Sequence, residues 1–256
     1  MKNILITGAS SGLGAEFAHQ YAAQNVKLFL CGRNLERLND VADACRQKGA
    51  EVYANAIDVT DRARLADWVT DITAQHGLDL VIANAGISGG FSGQMIEDIT
   101  KDYQIFDVNL TGVLNTIYPA LPHMVAKKSG HIVLISSLAG YVPMPSAPAY
   151  SASKVAVRFY GESLRTKLAA FHVKVTVICP GFIQSRMTDN NDFPMPFLMK
   201  TDVAVARMIK DIDAGKPRIS FPWQMSIGLK LLSLLPAKLS SAIFACLPDK
   251  KALPSD

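Results

Sequence analysis

Short apolar runs alternate with longer helical stretches from one end of the chain to the other. The strand-like runs fall near residues 3–7, 26–31, 51–57, 79–83, 130–136 and 173–179. They are nearly continuous in apolar residues, as strands covered on both faces by helices should be. Between them lie helical stretches near residues 12–24, 35–48, 63–75, 101–127 and 148–171. Repeated βα units of this kind predict a parallel, doubly wound sheet. No linker, repeat or low-complexity segment divides residues 1–220, so they read as one domain.

Beyond residue 220 the pattern changes. Residues 221–256 form an apolar, basic extension whose spacing is ambiguous. Trp223 to Leu231 alternates as a strand would, whereas Leu231 to Leu235 suits a helix. Between residues 219 and 248 the only charges are Lys230 and Lys238. Three readings of this tail stand side by side: a core or pocket wall, a subunit interface, and an amphipathic anchor at a membrane surface.

Composition narrows the class. With 49% hydrophobic and 19% charged residues in 256, the chain is globular and long enough to bury a sizeable core. The formal charge of +4 sits in the tail, where residues 216–256 hold six Lys/Arg against two acids. No basic run of nucleic-acid type occurs, so no nucleic-acid partner is expected. Cys31, Cys45, Cys179 and Cys246 form no CxxC pair and the five histidines no HxxxH pair. They predict reduced thiols in a cytoplasmic protein, with neither disulfide nor metal site. The first residues run directly into a strand, which leaves no room for a signal peptide, and no apolar run is long enough to span a bilayer.

The turn Thr7-Gly8-Ala9-Ser10-Ser11-Gly12-Leu13-Gly14 joins the first strand to the first helix. Glycines there permit a tight turn and close backbone approach, and the helix N-terminus offers unpaired N–H groups to a pyrophosphate. The same residues match the GxSxG elbow of hydrolases, but that elbow needs a sheet already built on both sides, and here it would follow the very first strand. Ser151-Ala152-Ser153-Lys154 matches SxxK, yet no KTG follows. The second strand ends Leu30-Cys31-Gly32-Arg33. An acid at that strand end binds a ribose 2′-hydroxyl, and an arginine nearby accommodates a 2′-phosphate. Gly32 takes the acid's place and Arg33 follows, which favours NADP(H) over NAD(H).

Tyr150 and Lys154 lie one helical turn apart on one face. A phenol ionises near pH 10, and a neighbouring ammonium is expected to draw that value toward the working pH of a general acid/base.

Taken in order, these motifs resemble the classical short-chain dehydrogenase/reductase family over roughly residues 2–220. Thr7–Gly14 matches its TGxxxGxG cofactor turn. Asp58-Val59 matches the acidic residue whose position contacts the adenine, and Asn84-Ala85-Gly86 the NAG motif, with Ala83 in place of the commoner first Asn. Asn109 matches the helix Asn of the catalytic tetrad, and Ser137 lies at the family's spacing before Tyr150. Pro180-Gly181 matches the turn beside the nicotinamide; Ile183 follows, and Ser185 stands where a threonine commonly meets the carboxamide.

The resemblance implies a Rossmann-type, doubly wound, seven-stranded parallel sheet of order 3-2-1-4-5-6-7. It further implies hydride transfer between NADP(H) and a carbonyl or secondary alcohol. Tyr150 is then the acid, Lys154 its electrostatic partner, Ser137 the donor to the substrate oxygen and Asn109 the holder of a relay water. Homodimers or homotetramers built on the helices holding Asn109 and Tyr150 are expected. The apolar residues Phe193, Met195 and Phe197, with Leu138, Tyr141, Val142 and Met144, suggest a greasy substrate beneath a lid. The rival readings are a dinucleotide sensor without turnover and a membrane-surface lipid reductase.

Overall fold

Seven strands carry the chain's apolar runs: β1 Lys2–Thr7, β2 Val26–Gly32, β3 Glu51–Ala56, β4 Leu80–Ala83, β5 Gly130–Ile135, β6 Val173–Pro180 and β7 Arg218–Phe221. All pair in parallel, in the order β3-β2-β1-β4-β5-β6-β7. The computed structural model describes residues 2–89, 99–189, 191 and 193–244, so Cys246 lies outside the described residues. The sheet is the Rossmann-type, doubly wound one predicted.

Alternation along each strand sorts the core into two layers. Ile4, Ile6, Leu28 and Leu30 meet one set of helices, α1 Gly12–Tyr21, α2 Leu35–Gln47 and α9 Thr201–Asp213, through Phe17, Leu38 and Met208. Leu5, Phe29 and Cys31 face the other set, α3 Arg62–Gln75, α5 Gly112–Ile117 and α7 Pro148–Leu168, through Leu65, Val113 and Val157. Burial from both sides explains why the strands lack the polar alternation of a one-faced sheet.

Two elements differ from the sequence pattern. The single helix expected over residues 101–127 is divided. It comprises α4 Ile99–Phe106, a wider π-turn Asp107–Thr111, α5, and α6 Leu121–Lys127. Pro119 and Pro122 lack the N–H groups a continuous helix would use, which separates α5 from α6. The ambiguous stretch after Phe221 is helix α10 Trp223–Leu232, followed by α11 Ala237–Phe244. The short helix α8 Arg186–Asp189 lies in the segment between β6 and α9.

His131 on β5 makes the fold acid-sensitive. Its Nε2 lies 2.8 Å from Thr176 Oγ1, whose own proton goes to the Lys216 carbonyl, so the ring donates. Burial, helped by Lys174 and Lys2 and opposed by Asp213, lowers its pKa from 6.5 to about 4. Below about pH 6.5 the unfolded chain therefore binds a proton that the folded chain refuses, and stability falls until pH 4. Urea midpoints measured across that window should decline with acid, and His131→Gln should flatten the decline. An unchanged slope in the variant would assign the acid limb to other groups.

Candidate active site

The carboxyl ends of the central strands converge on one edge of the sheet, where ligands of open α/β sheets bind. At β1 the chain turns into α1. Asn84, just past β4, clamps this turn by donating its amide to the carbonyls of Thr7 at 2.9 Å and Gly8 at 3.3 Å. The N–H groups of Asn84 and Ala85 in turn donate to Thr7 Oγ1. Packing is tight enough to require glycine: a Cβ at Gly14 would lie 2.2 Å from the Gly8 carbonyl oxygen, and one at Gly8 2.8 Å from Ala85 Cα. Ser11 caps α1 without a side-chain hydrogen bond, so the helix's first N–H groups are not taken by its side chain. Ser10 lies against Gly32, and Gly12 and Leu13 complete the turn beside Ser185.

This cradle fits a dinucleotide pyrophosphate: a glycine-walled turn leading into a helix N-terminus. Beyond it, at the end of β2, Arg33 is exposed and makes no ion pair among the described residues. Asp58 is half-buried and accepts from both N–H and Oγ1 of Thr60, at 2.9 and 2.8 Å. Val59 turns its side chain into the core against Gly112, while its carbonyl accepts from Asn115.

Asn109, fully buried, sits in the π-turn, a distortion that recurs at functional sites. Its Oδ1 accepts from the Ile87 N–H at 2.8 Å, and its Nδ2 donates to the Ile87 carbonyl and to Ser153 Oγ. Ser153 Oγ in turn donates to the Tyr150 carbonyl at 2.7 Å. The side chain of Asn109 is thus occupied in tying the loop after β4 to α7. Sequence reasoning missed Ser153 and Ile87. The only signal for either was Ser153's place directly before Lys154.

α7 presents Tyr150 and Lys154 together. Ser137, just beyond β5, hydrogen-bonds the Tyr150 phenol, and its Oγ also accepts from the Ala139 N–H at 3.1 Å. A Cβ at Gly140 would lie 2.8 Å from the Lys154 carbonyl carbon, so the turn carrying Ser137 rests directly on the α7 backbone. Lys154, buried, places Nζ 5.6 Å from the Tyr150 ring centre and donates to the Ile135 carbonyl at 3.1 Å. Ser136 Oγ donates to the Lys154 carbonyl at 2.7 Å. Gly86 lies beside both Asn109 Oδ1 and Lys154 Nζ. The four residues named from the sequence share one site.

Its electrostatics differ from the sequence expectation. Burial raises the Tyr150 pKa, and the Ser137 hydrogen bond only partly offsets it. Burial likewise lowers Lys154 to about 8, with the Cys179 thiol acting weakly in the other direction. Desolvation sets the direction of the phenol's shift, so Tyr150 rests protonated. A protonated phenol beside a donor hydroxyl and a cation can hand a proton to an oxygen that gains charge.

Across the cleft, Gly181 N–H donates to the Phe221 carbonyl at 2.7 Å, which joins the turn after Pro180 to β7. Ile183 is buried and bridges to Met199, and Ser185 N–H donates to Thr188 Oγ1. Phe182 and Phe193 meet edge to face at 6.0 Å, closing this segment on itself. Among the described residues no group of three or more His, Cys, Asp or Glu could hold a metal ion.

Residues 2–194 match the family model described as short chain dehydrogenase. The chain belongs to the short-chain dehydrogenase/reductase family. It is accordingly an oxidoreductase acting on CH–OH and C=O groups, on a fold that binds a nicotinamide dinucleotide. An uncharacterized oxidoreductase of Myxococcus xanthus is 40% identical to this short-chain dehydrogenase over 242 residues, covering 94% of this chain and 95% of that one. A short-chain dehydrogenase from Sphingobium yanoikuyae, solved in complex with NADPH, is 25% identical with a TM-score of 0.80, covering 100% of this chain and 99% of that one. One from Mycobacterium paratuberculosis, solved bound to NAD, shares the fold at 20% identity and a TM-score of 0.76, covering 88% and 97%.

Proposed function

We propose that this dehydrogenase is an NADP(H)-dependent carbonyl reductase for an apolar substrate. The observation that carries the reading is Tyr150 hydrogen-bonded to Ser137 and flanked by buried Lys154 at the carboxyl edge of the sheet. When bound, the dinucleotide supplies or accepts the hydride. Thr7, Gly8, Ser10, Ser11, Gly12, Leu13 and Gly14 hold its pyrophosphate. Asp58 and the Val59 main chain face its adenine, and Asn84, Ala85 and Gly86 its ribose. Pro180, Gly181, Ile183 and Ser185 flank the nicotinamide side. In reduction, Tyr150 donates its proton to the developing alkoxide. Ser137 donates a hydrogen bond to the same oxygen, where charge develops. Lys154 as ammonium stabilises the tyrosinate that remains. Asn109 positions α7 through Ser153 and the loop through Ile87; both of its amide protons are used there, so a relay water would bind its main chain or the remaining lone pair of Oδ1.

Arg33 supports NADP(H): an exposed guanidinium without an acid at the strand end is free to pair with a 2′-phosphate. The Sphingobium relative's NADPH agrees with that preference. Exposed Tyr103, Tyr118 and Phe159 lie on or at the ends of α4, α5 and α7, and they support assembly of two or four copies on those helices.

The test is NADPH and NADH oxidation with aldehydes and ketones graded by chain length and ring count. Arg33→Ala should lower kcat/KM for NADPH about tenfold or more and leave NADH little changed. Equal use of both cofactors by the wild type would overturn the NADP(H) reading. NADPH binding without turnover across the panel would favour the sensor.

A further inference from the structure

Helix α10 is apolar on two opposite faces. Met225, Leu229 and Leu232 pack inward against Leu138, Tyr141, Val142 and Cys179, the cluster beneath the turn that carries Ser137. Outward, Trp223, Ile227, Leu231 and Leu234 recur at helical spacing just past and along the helix, with Trp223 and Leu231 each 62% and Leu234 80% exposed. A helix apolar all round is stable where both faces are covered, and here the described chain covers one. The outward strip continues at its N-terminal end into a cleft of about 380 Å³ lined by Phe197, Leu198, Arg207 and Trp223. Phe197 and Leu198 are themselves exposed, and Phe197 holds a left-handed backbone (φ 58°) that a bulky residue seldom adopts. No residue of the catalytic set lines this cleft. Downstream, α11 adds exposed Leu239 and Ile243.

Charge decides what covers this face. From residue 214 to residue 248 the chain contains no acid. Arg207 edges the cleft, Lys230 lies exposed at the border of the strip with its Nζ 5.7 Å from the Tyr141 ring, and Lys238 opens α11. A two-fold contact between copies would set this cationic patch against itself. The aromatic face formed by Tyr103, Tyr118 and Phe159 is a separate surface for subunit contact. A bilayer with anionic headgroups meets both demands, since it takes the apolar side chains and pairs with the cations. Among the described residues no helix is long and apolar enough to cross a membrane, so contact of this kind lies in the interface plane.

We propose that the outward face of α10, with the Phe197–Trp223 cleft and α11, docks this protein on anionic lipid surfaces. The docking does not depend on the catalytic reading, and its test reads binding rather than turnover. Full-length protein is sedimented with vesicles of phosphatidylcholine alone and of phosphatidylcholine mixed with phosphatidylglycerol. It should pellet with the mixed vesicles and release as salt rises. In a Trp68→Phe background, which leaves Trp223 as the sole tryptophan, emission should shift to the blue on those vesicles. Ile227→Glu with Leu231→Glu should abolish pelleting, while Lys230→Glu with Lys238→Glu should weaken it at least about tenfold. NADPH binding by each variant serves as the check on folding. Wild-type protein left in the supernatant, equal binding to both vesicle types, or pelleting unchanged in the glutamate variants would overturn the proposal. So would a fall in oligomer size in Ile227→Glu/Leu231→Glu without any vesicle binding by the wild type, which would make the face an interface between copies.

Discussion

Tyr150→Phe should retain the fold and lose at least on the order of a hundredfold in turnover. The ring keeps its packing, and what disappears is the proton and the hydrogen bond to Ser137. Because burial raises the phenol's pKa, removing the hydroxyl relieves no buried charge, and the thermal midpoint should stay near that of the wild type. Dinucleotide binding, read by titration, should also survive. The pH profile separates the roles further. The wild-type phenol stays protonated well into alkaline conditions, whereas Lys154 loses its charge near pH 8. Reductive kcat should therefore decline above about pH 8 with the ammonium, not with the phenol. A Tyr150→Phe protein with more than a small fraction of wild-type turnover would remove Tyr150 from the role of acid.

Asn109→Ala should be the most damaging change to stability within the site. It strands the Ile87 N–H and the Ile87 carbonyl and removes the amide donor to Ser153 Oγ, whose own proton stays on the Tyr150 carbonyl. A buried polar group left unpaired costs about 1–3 kcal/mol, and the two Ile87 groups share one partner and are not additive, so a loss of ~3 kcal/mol is expected. For a chain of this size the thermal midpoint should fall by on the order of 10 °C. Turnover should fall as well, since Ser153 links Asn109 to the Tyr150 carbonyl. Asn109→Asp keeps the acceptor for Ile87 N–H and loses both amide donations, so it should fall between wild type and alanine. A melting point unchanged in Asn109→Ala would show that the π-turn stands without its side-chain ties.

Much of this architecture is legible in the amino-acid sequence. The two-faced apolar runs place six of the seven strands, the glycines from Gly8 to Gly14 mark the cofactor turn, and motif spacing singles out Asn109, Ser137, Tyr150 and Lys154. Local periodicity records such features because strand and helix each repeat within a few residues.

What the sequence could not show depends on partners far apart in the chain. Asn109 meets Ile87 and Ser153 across 22 and 44 residues, which bends its helix into a π-turn. The stretch after Phe221 alternates like a strand, yet it is a helix, because Met225, Leu229 and Leu232 find the Leu138–Val142 turn to pack against. The sign of the Tyr150 shift was likewise a tertiary matter. A lysine four residues away argued for a lowered pKa, but the sheet edge half-buries the phenol and buries the lysine, and desolvation raises Tyr150 and lowers Lys154.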